Sequence, residues 1–200
     1  MEANLKEIIE LSGIHPLKIK SVYLYGSRIY GYNRPDSDFD VILVAPFLER
    51  NKEIKGEKYN IHIVTPDAFK DELFGNYKIT YLECIFAPDW AKLQEKEDYS
   101  FKIDKQKLKK EILVQSFSAW RNAKHKMIEC DFNKAYKSAY HSFKILAFGI
   151  QILEHGKIIN FAECNDLHKE IMDCNFVEWY EMRDTYLDKK KELENKLKKS

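Results

Sequence analysis

The chain reads as an α+β protein, with a sheet in its first half and helices in its second. Three observations carry that reading. Short apolar runs at 19–25, 38–44 and 58–64 lie in the first third of the sequence; the last sets Tyr59, Ile61 and Ile63 against Asn60 and His62 with a period of two. From Asp104 onward, apolar residues recur at helical spacing. A hydrophobic fraction of 44%, with 12 Phe and 12 Tyr in 200 residues, is enough to fill one ordinary core or two small ones.

Taken in order, Leu5, Ile8, Ile9 and Leu11 form a helical stripe that Gly13 stops. Strands are expected over 19–25 and 38–44, the second closed by Pro46, with a polar loop between them. The third strand, 58–64, runs into Thr65-Pro66-Asp67, an N-cap followed by proline at the first helical position. That helix ends at Gly75, and another over about 77–86 stops before Pro88. Residues 89–103 read as an irregular, charged connector. Helices then follow over about 105–129, 134–155, 162–173 and from 176, joined by short connections that favour an antiparallel bundle. The expected organisation is a sheet domain over residues 1–90 and a helical bundle over 104–200.

A formal charge of +1 on a chain with 32% charged residues argues neither for nor against a nucleic-acid partner. The lysine clusters at Lys105–Lys110 and Lys189–Lys199 are broken by acids and leucines, so they read as solvated helix faces, with an RNA-backbone contact as the other reading. No run is long enough for a membrane span, and the first residues lack the basic-then-apolar form of a signal peptide; a soluble, cytoplasmic protein is expected. Cys84, Cys130, Cys164 and Cys174 include no close pair, and Cys164, His168 and Cys174 lack a fourth zinc ligand, so reduced thiols are expected.

The chemistry concentrates in Tyr23–Val44. Gly26-Ser27 ends the first strand, where a glycine allows close backbone approach and a turn offers N–H groups and a hydroxyl to a phosphate. Asp38 and Asp40 flank Phe39, so they share one strand face at a spacing of about 7 Å. Paired carboxylates repel unless a cation joins them, and Mg²⁺ (or Mn²⁺) prefers such oxygens. Together the two pieces suggest a site for a metal-chelated nucleoside triphosphate, with Arg28 adding charge and Arg34 closing from the loop.

Gly-Ser, a spacer and then Asp-x-Asp resembles the signature of the DNA polymerase β-like nucleotidyltransferase superfamily. The spelling Gly26-Ser-Arg-x-x-Gly31 with Ser37-Asp-x-Asp40 is similar to its small bacterial and phage branch, some of whose members are associated with RNA repair. The resemblance continues through Ile63–Phe69, Gly75-Asn76, Leu82-Glu83 and the helix from Lys134 to Leu146, with Glu154 and Gly156. It implies a nucleotidyltransferase-type mixed sheet with flanking helices ahead of the helical bundle, and template-free transfer of an NMP from an NTP to a hydroxyl acceptor. An RNA end is the acceptor it favours; a protein hydroxyl or a small molecule are the others.

Many members carry a third metal-facing acid on the strand after Asp-x-Asp. Here the matching strand offers Asn60 and His62, poorer magnesium ligands than a carboxylate. The expected metal set is therefore Asp38, Asp40 and Asn60. His62 is either the general base or an ordinary strand residue, with Glu53 and Glu57 as nearby acids. The expected nucleotide contacts are Gly26, Ser27, Arg28, Arg34 and, from the helical half, Lys144, which shares a helix face with His141 and Lys137. Two rival readings are a weak or inactive nucleotide-binding partner module of antitoxin type and a scaffold that binds no nucleotide.

Overall fold

The computed structural model describes residues 2–34, 37–47, 51–100 and 102–200. It forms two compact units, Met1–Lys102 and Ile103–Ser200.

The first unit contains α1 (Leu5–Ser12), β1 (Ser21–Tyr25), α2 (Ser27–Tyr30), β2 (Phe39–Val44), β3 (Asn51–Lys55), β4 (Tyr59–Val64), α3 (Pro66–Lys70), α4 (Ile79–Phe86) and β5 (Lys92–Glu95). Its five-stranded mixed sheet has the order β3-β4-β2-β1-β5. β2 runs parallel to β4 and antiparallel to β1, while β3 and β5 are antiparallel edges. The caps form as the sequence requires: Thr65 Oγ1 accepts from Ala68 N at 3.2 Å, and Gly13 takes the left-handed conformation that ends α1.

One strand is added to those expected, and two local expectations are corrected. The charged stretch Asn51-Lys-Glu-Ile-Lys55 is a strand; lysines and a glutamate suit an edge, where they discourage pairing with another chain. The stretch taken as an irregular connector contains β5, which completes the sheet beside β1. The loop after Gly26 begins with a four-residue helix, because Gly26 O accepts from Ile29 N and Tyr30 N.

The two sheet faces bury different things. Val22, Leu24, Val41, Leu43, Ile61 and Ile63 share one face by alternation, and Tyr59 from that face accepts from Asn4 N at 2.9 Å and donates to Glu7 Oε2 at 3.0 Å, tying it to α1. On the other face Tyr23 stacks on Phe69 at 5.9 Å, and Phe69 meets Tyr81 and Tyr99. That aromatic cluster covers the face at the middle of β1. At the end of β1, Tyr25 and its neighbour Asp40 stay only half-buried.

The second unit holds α5 (Lys105–Ile128), α6 (Phe132–His155), α7 (Asn165–Met172) and α8 (Trp179–Lys199). α6 is its centre, packed on α5, α7 and α8. Close approach explains Gly149: a Cβ there would lie 2.7 Å from Ile112 Cγ2. Among the described residues no helix is long and apolar enough to cross a membrane, and all four cysteines are free thiols.

Candidate active site

Gly26 ends β1 at φ 83°, a conformation that strains any residue with a side chain. Space excludes one as well: a Cβ would sit 2.4 Å from Asp40 Oδ2. The Gly-Ser turn and the second acid of the motif, fourteen positions apart in the sequence, are therefore in contact. Ser27 opens α2, so its N–H and that of Arg28 belong to the first helical turn, which has no intrahelical acceptors.

Arg28 reaches back toward the start of β2. Its Nε donates to Asp38 O at 3.1 Å, a terminal nitrogen donates to Ser37 O, and the guanidinium lies 3.8 Å from the centre of the Phe39 ring. In this arrangement its fork holds the Asp38 backbone. Arg34 is exposed, and its N donates to Ser37 Oγ at 3.0 Å.

Asp38 is exposed and lies one residue ahead of β2, whereas Asp40 is half-buried within it. Parallel pairing puts Asn60 directly beside Asp40, and Asn60 Nδ2 donates to Asp40 Oδ1 at 3.3 Å. The other end of that amide is the notable one. Asn60 Oδ1 is buried and has no partner among the described residues, a costly state for a carbonyl oxygen unless something else supplies positive charge.

His62 is half-buried on the same face, between Ile42 on β2 and Glu53 on β3. Burial and then the Lys78 ammonium hold its pKa below the ordinary histidine value, with Glu53 opposing. Tyr25, opposite Asp40 on β1, was not singled out by the sequence. Its phenol is pushed above its ordinary range by burial and then by Asp40, Cys84, Glu83 and Glu53, so it stays a neutral donor beside the acids. The alternation of Tyr23 and Tyr25 in β1 was the signal available for it.

Lys144 belongs to the second unit, on α6, 3% exposed and 5.6 Å from the Phe148 ring centre. His141, one turn before it on α6, is exposed.

These residues suit a hard divalent cation in part. Asn60 turns its amide nitrogen to Asp40 Oδ1, and the other end of the amide, Oδ1, is a buried acceptor without a partner among the described residues. No group of three His, Cys, Asp or Glu that could hold a metal is assembled among the described residues. A set of two carboxylates and one amide oxygen is one that magnesium ordinarily completes with water and substrate phosphate.

The sequence profile of the nucleotidyltransferase domain matches residues 5–145, from α1 through the sheet and into α6. The chain belongs to the nucleotidyltransferase domain family. Among solved structures, spectinomycin adenyltransferase from Enterococcus faecialis, crystallised with ATP and spectinomycin, is similar over 98% of this chain and 100% of its own, with 15% identity and a TM-score of 0.50. A nucleotidyltransferase-like protein from Exiguobacterium sibiricum is similar over 97% of this chain and 73% of its own, with 13% identity and a TM-score of 0.34. No functionally curated protein is significantly similar in sequence. The chain is thus a nucleotidyltransferase by family, and the contact of Gly26 with Asp40 lies inside the matched span.

Proposed function

We propose that this nucleotidyltransferase moves an NMP from an NTP to a hydroxyl acceptor with the help of Mg²⁺ or Mn²⁺ bound by Asp38, Asp40 and Asn60. The observation that carries the reading is the buried Asn60 Oδ1, unpartnered among the described residues, on a side chain bonded to the Asp40 carboxylate that touches the Gly26 turn. A cation held there would neutralise charge on the triphosphate and on the departing pyrophosphate. The N–H groups at Gly26-Ser27 receive the triphosphate, with Arg34 closing from the loop and Arg28 keeping Asp38 in place. The acceptor oxygen attacks the α-phosphorus, the bond to pyrophosphate breaks, and His62 takes the hydroxyl proton. Its neutral form, favoured by burial, is the one that accepts.

For the acceptor, the branch resemblance supports an RNA end. The spectinomycin adenyltransferase neighbour supports a small polyhydroxylated molecule as a second reading. Incubation with each α-labelled NTP and Mg²⁺ or Mn²⁺, in parallel with total cellular RNA and with spectinomycin, separates them. Label in RNA supports the first and label on spectinomycin the second. If no NTP gives labelled product with RNA, spectinomycin or a cell lysate, and none raises the melting temperature, the proposal is overturned.

A further inference from the structure

Glu83 lies on α4 with 1% of its surface exposed. A carboxylate so placed is expensive unless hydrogen bonds compensate it. One comes from Tyr30, itself 2% exposed, whose phenol donates to Glu83 Oε2. Tyr30 is the last residue of α2, and Ser27 is the first.

A helix of four residues cannot hold itself together. α2 is fixed from outside, by side chains at two of its positions. Arg28 grips the backbone oxygens of Ser37 and Asp38, and Tyr30 grips Glu83 on α4, which packs on β1. The first clamp sets the turn against the carboxylates. The second sets it against the sheet.

We propose that Glu83 is a positioning residue for NTP binding: through Tyr30 it fixes the Gly26-Ser27 turn at the distance from Asp40 that the triphosphate needs. This rests on the reading that the turn receives the triphosphate. Glu83 touches no reacting atom, and its effect falls on nucleotide affinity rather than on the acceptor.

The test is steady-state kinetics with the NTP and acceptor that label, varying each in turn, alongside thermal melting. Tyr30→Phe and Glu83→Leu each raise KM for the NTP about tenfold, the equivalent of ~1.4 kcal/mol, and leave KM for the acceptor unchanged. Glu83→Gln keeps an oxygen for the Tyr30 phenol and recovers most of the loss. The double variant Tyr30→Phe/Glu83→Leu is no worse than either single change, because both remove one interaction. A purely structural role lowers kcat in step with the folded fraction and leaves both KM values alone, and that result overturns the proposal. So does Tyr30→Phe with a wild-type KM for the NTP, which decides the matter even if Glu83→Leu fails to fold. A wild-type chain that neither turns over nor, by calorimetry, binds any NTP with Mg²⁺ overturns the functional reading itself and this proposal with it.

Discussion

Two side-chain amides, one in each unit, have opposite fates. Gln151 on α6 is 4% exposed and fully used: its oxygen accepts from Ile159 N and Asn160 N, both at 2.8 Å, and its nitrogen donates to Asn160 O at 3.0 Å and to Glu163. Asn60 on β4 is half used, with one bond to Asp40 and a buried oxygen that has none among the described residues. Gln151 folds the segment after α6 back onto that helix, and every group it takes from water is repaid within the chain. Asn60 is left incomplete beside a carboxylate. In a native protein such incompleteness calls for an explanation, and the proposed cation supplies one.

The sharpest way to break the comparison is to change the acid. Asp40→Asn should lower NMP transfer by about a thousandfold, or ~4 kcal/mol, while the melting temperature stays close to wild type. Unchanged transfer would mean that the incomplete site has no chemical use. The converse experiment removes the complete amide. Gln151→Leu strands the N–H groups of Ile159 and Asn160 and should cost about 3 kcal/mol in urea unfolding, with KM for the NTP unmoved. A KM shift would show that Gln151 serves the site after all.

A subtler variant completes the incomplete amide. Asn60→Asp adds a third carboxylate beside Asp40, so the metal-free variant should melt lower and the rise on adding Mg²⁺ should be larger by about 4 °C, corresponding to roughly tenfold tighter binding. An unchanged Mg²⁺ response would remove Asn60 from the metal set. The smallest effect is in pH. His168 is held below the ordinary value of 6.5, by burial first and then by Lys137, with Asp173 opposing. The fold therefore favours the neutral ring. Its contribution is full above about pH 6.5 and declines as the pH falls toward the depressed value, because the unfolded chain takes up protons first. Melting temperature should drop modestly between about pH 7 and 5.5, and His168→Gln should flatten the drop; an unflattened curve would leave His168 out of it.

Much of the fold was legible because its signals are local. Period-two alternation marks β4, glycines at 13 and 156 stop α1 and α6, and Thr65-Pro66 starts α3. What failed to show was set by partners distant in sequence. β3 and β5 carry charges where alternation would advertise a strand, and only a neighbouring strand gives those residues their conformation. The same division holds in the site. Gly26, Ser27, Asp38 and Asp40 fall within a short span and declare themselves. That Asn60 rather than His62 stands beside Asp40 depends on the parallel register of β2 with β4. The Tyr30–Glu83 bond joins positions 53 apart, and neither residue alone predicts it.

That register has a consequence for how such a chain can vary. Asp40 sits on one rung between Tyr25 and Asn60, and each step of one residue along a strand turns the other face outward. A residue gained or lost in the turn around Gly31–Asn33 changes only the length of a surface connection. The same single-residue change within Phe39–Val44 would turn carboxylates into the apolar layer and Phe39 toward the nucleotide. Length variation among related chains should therefore collect in the turn and stop abruptly at Asp38.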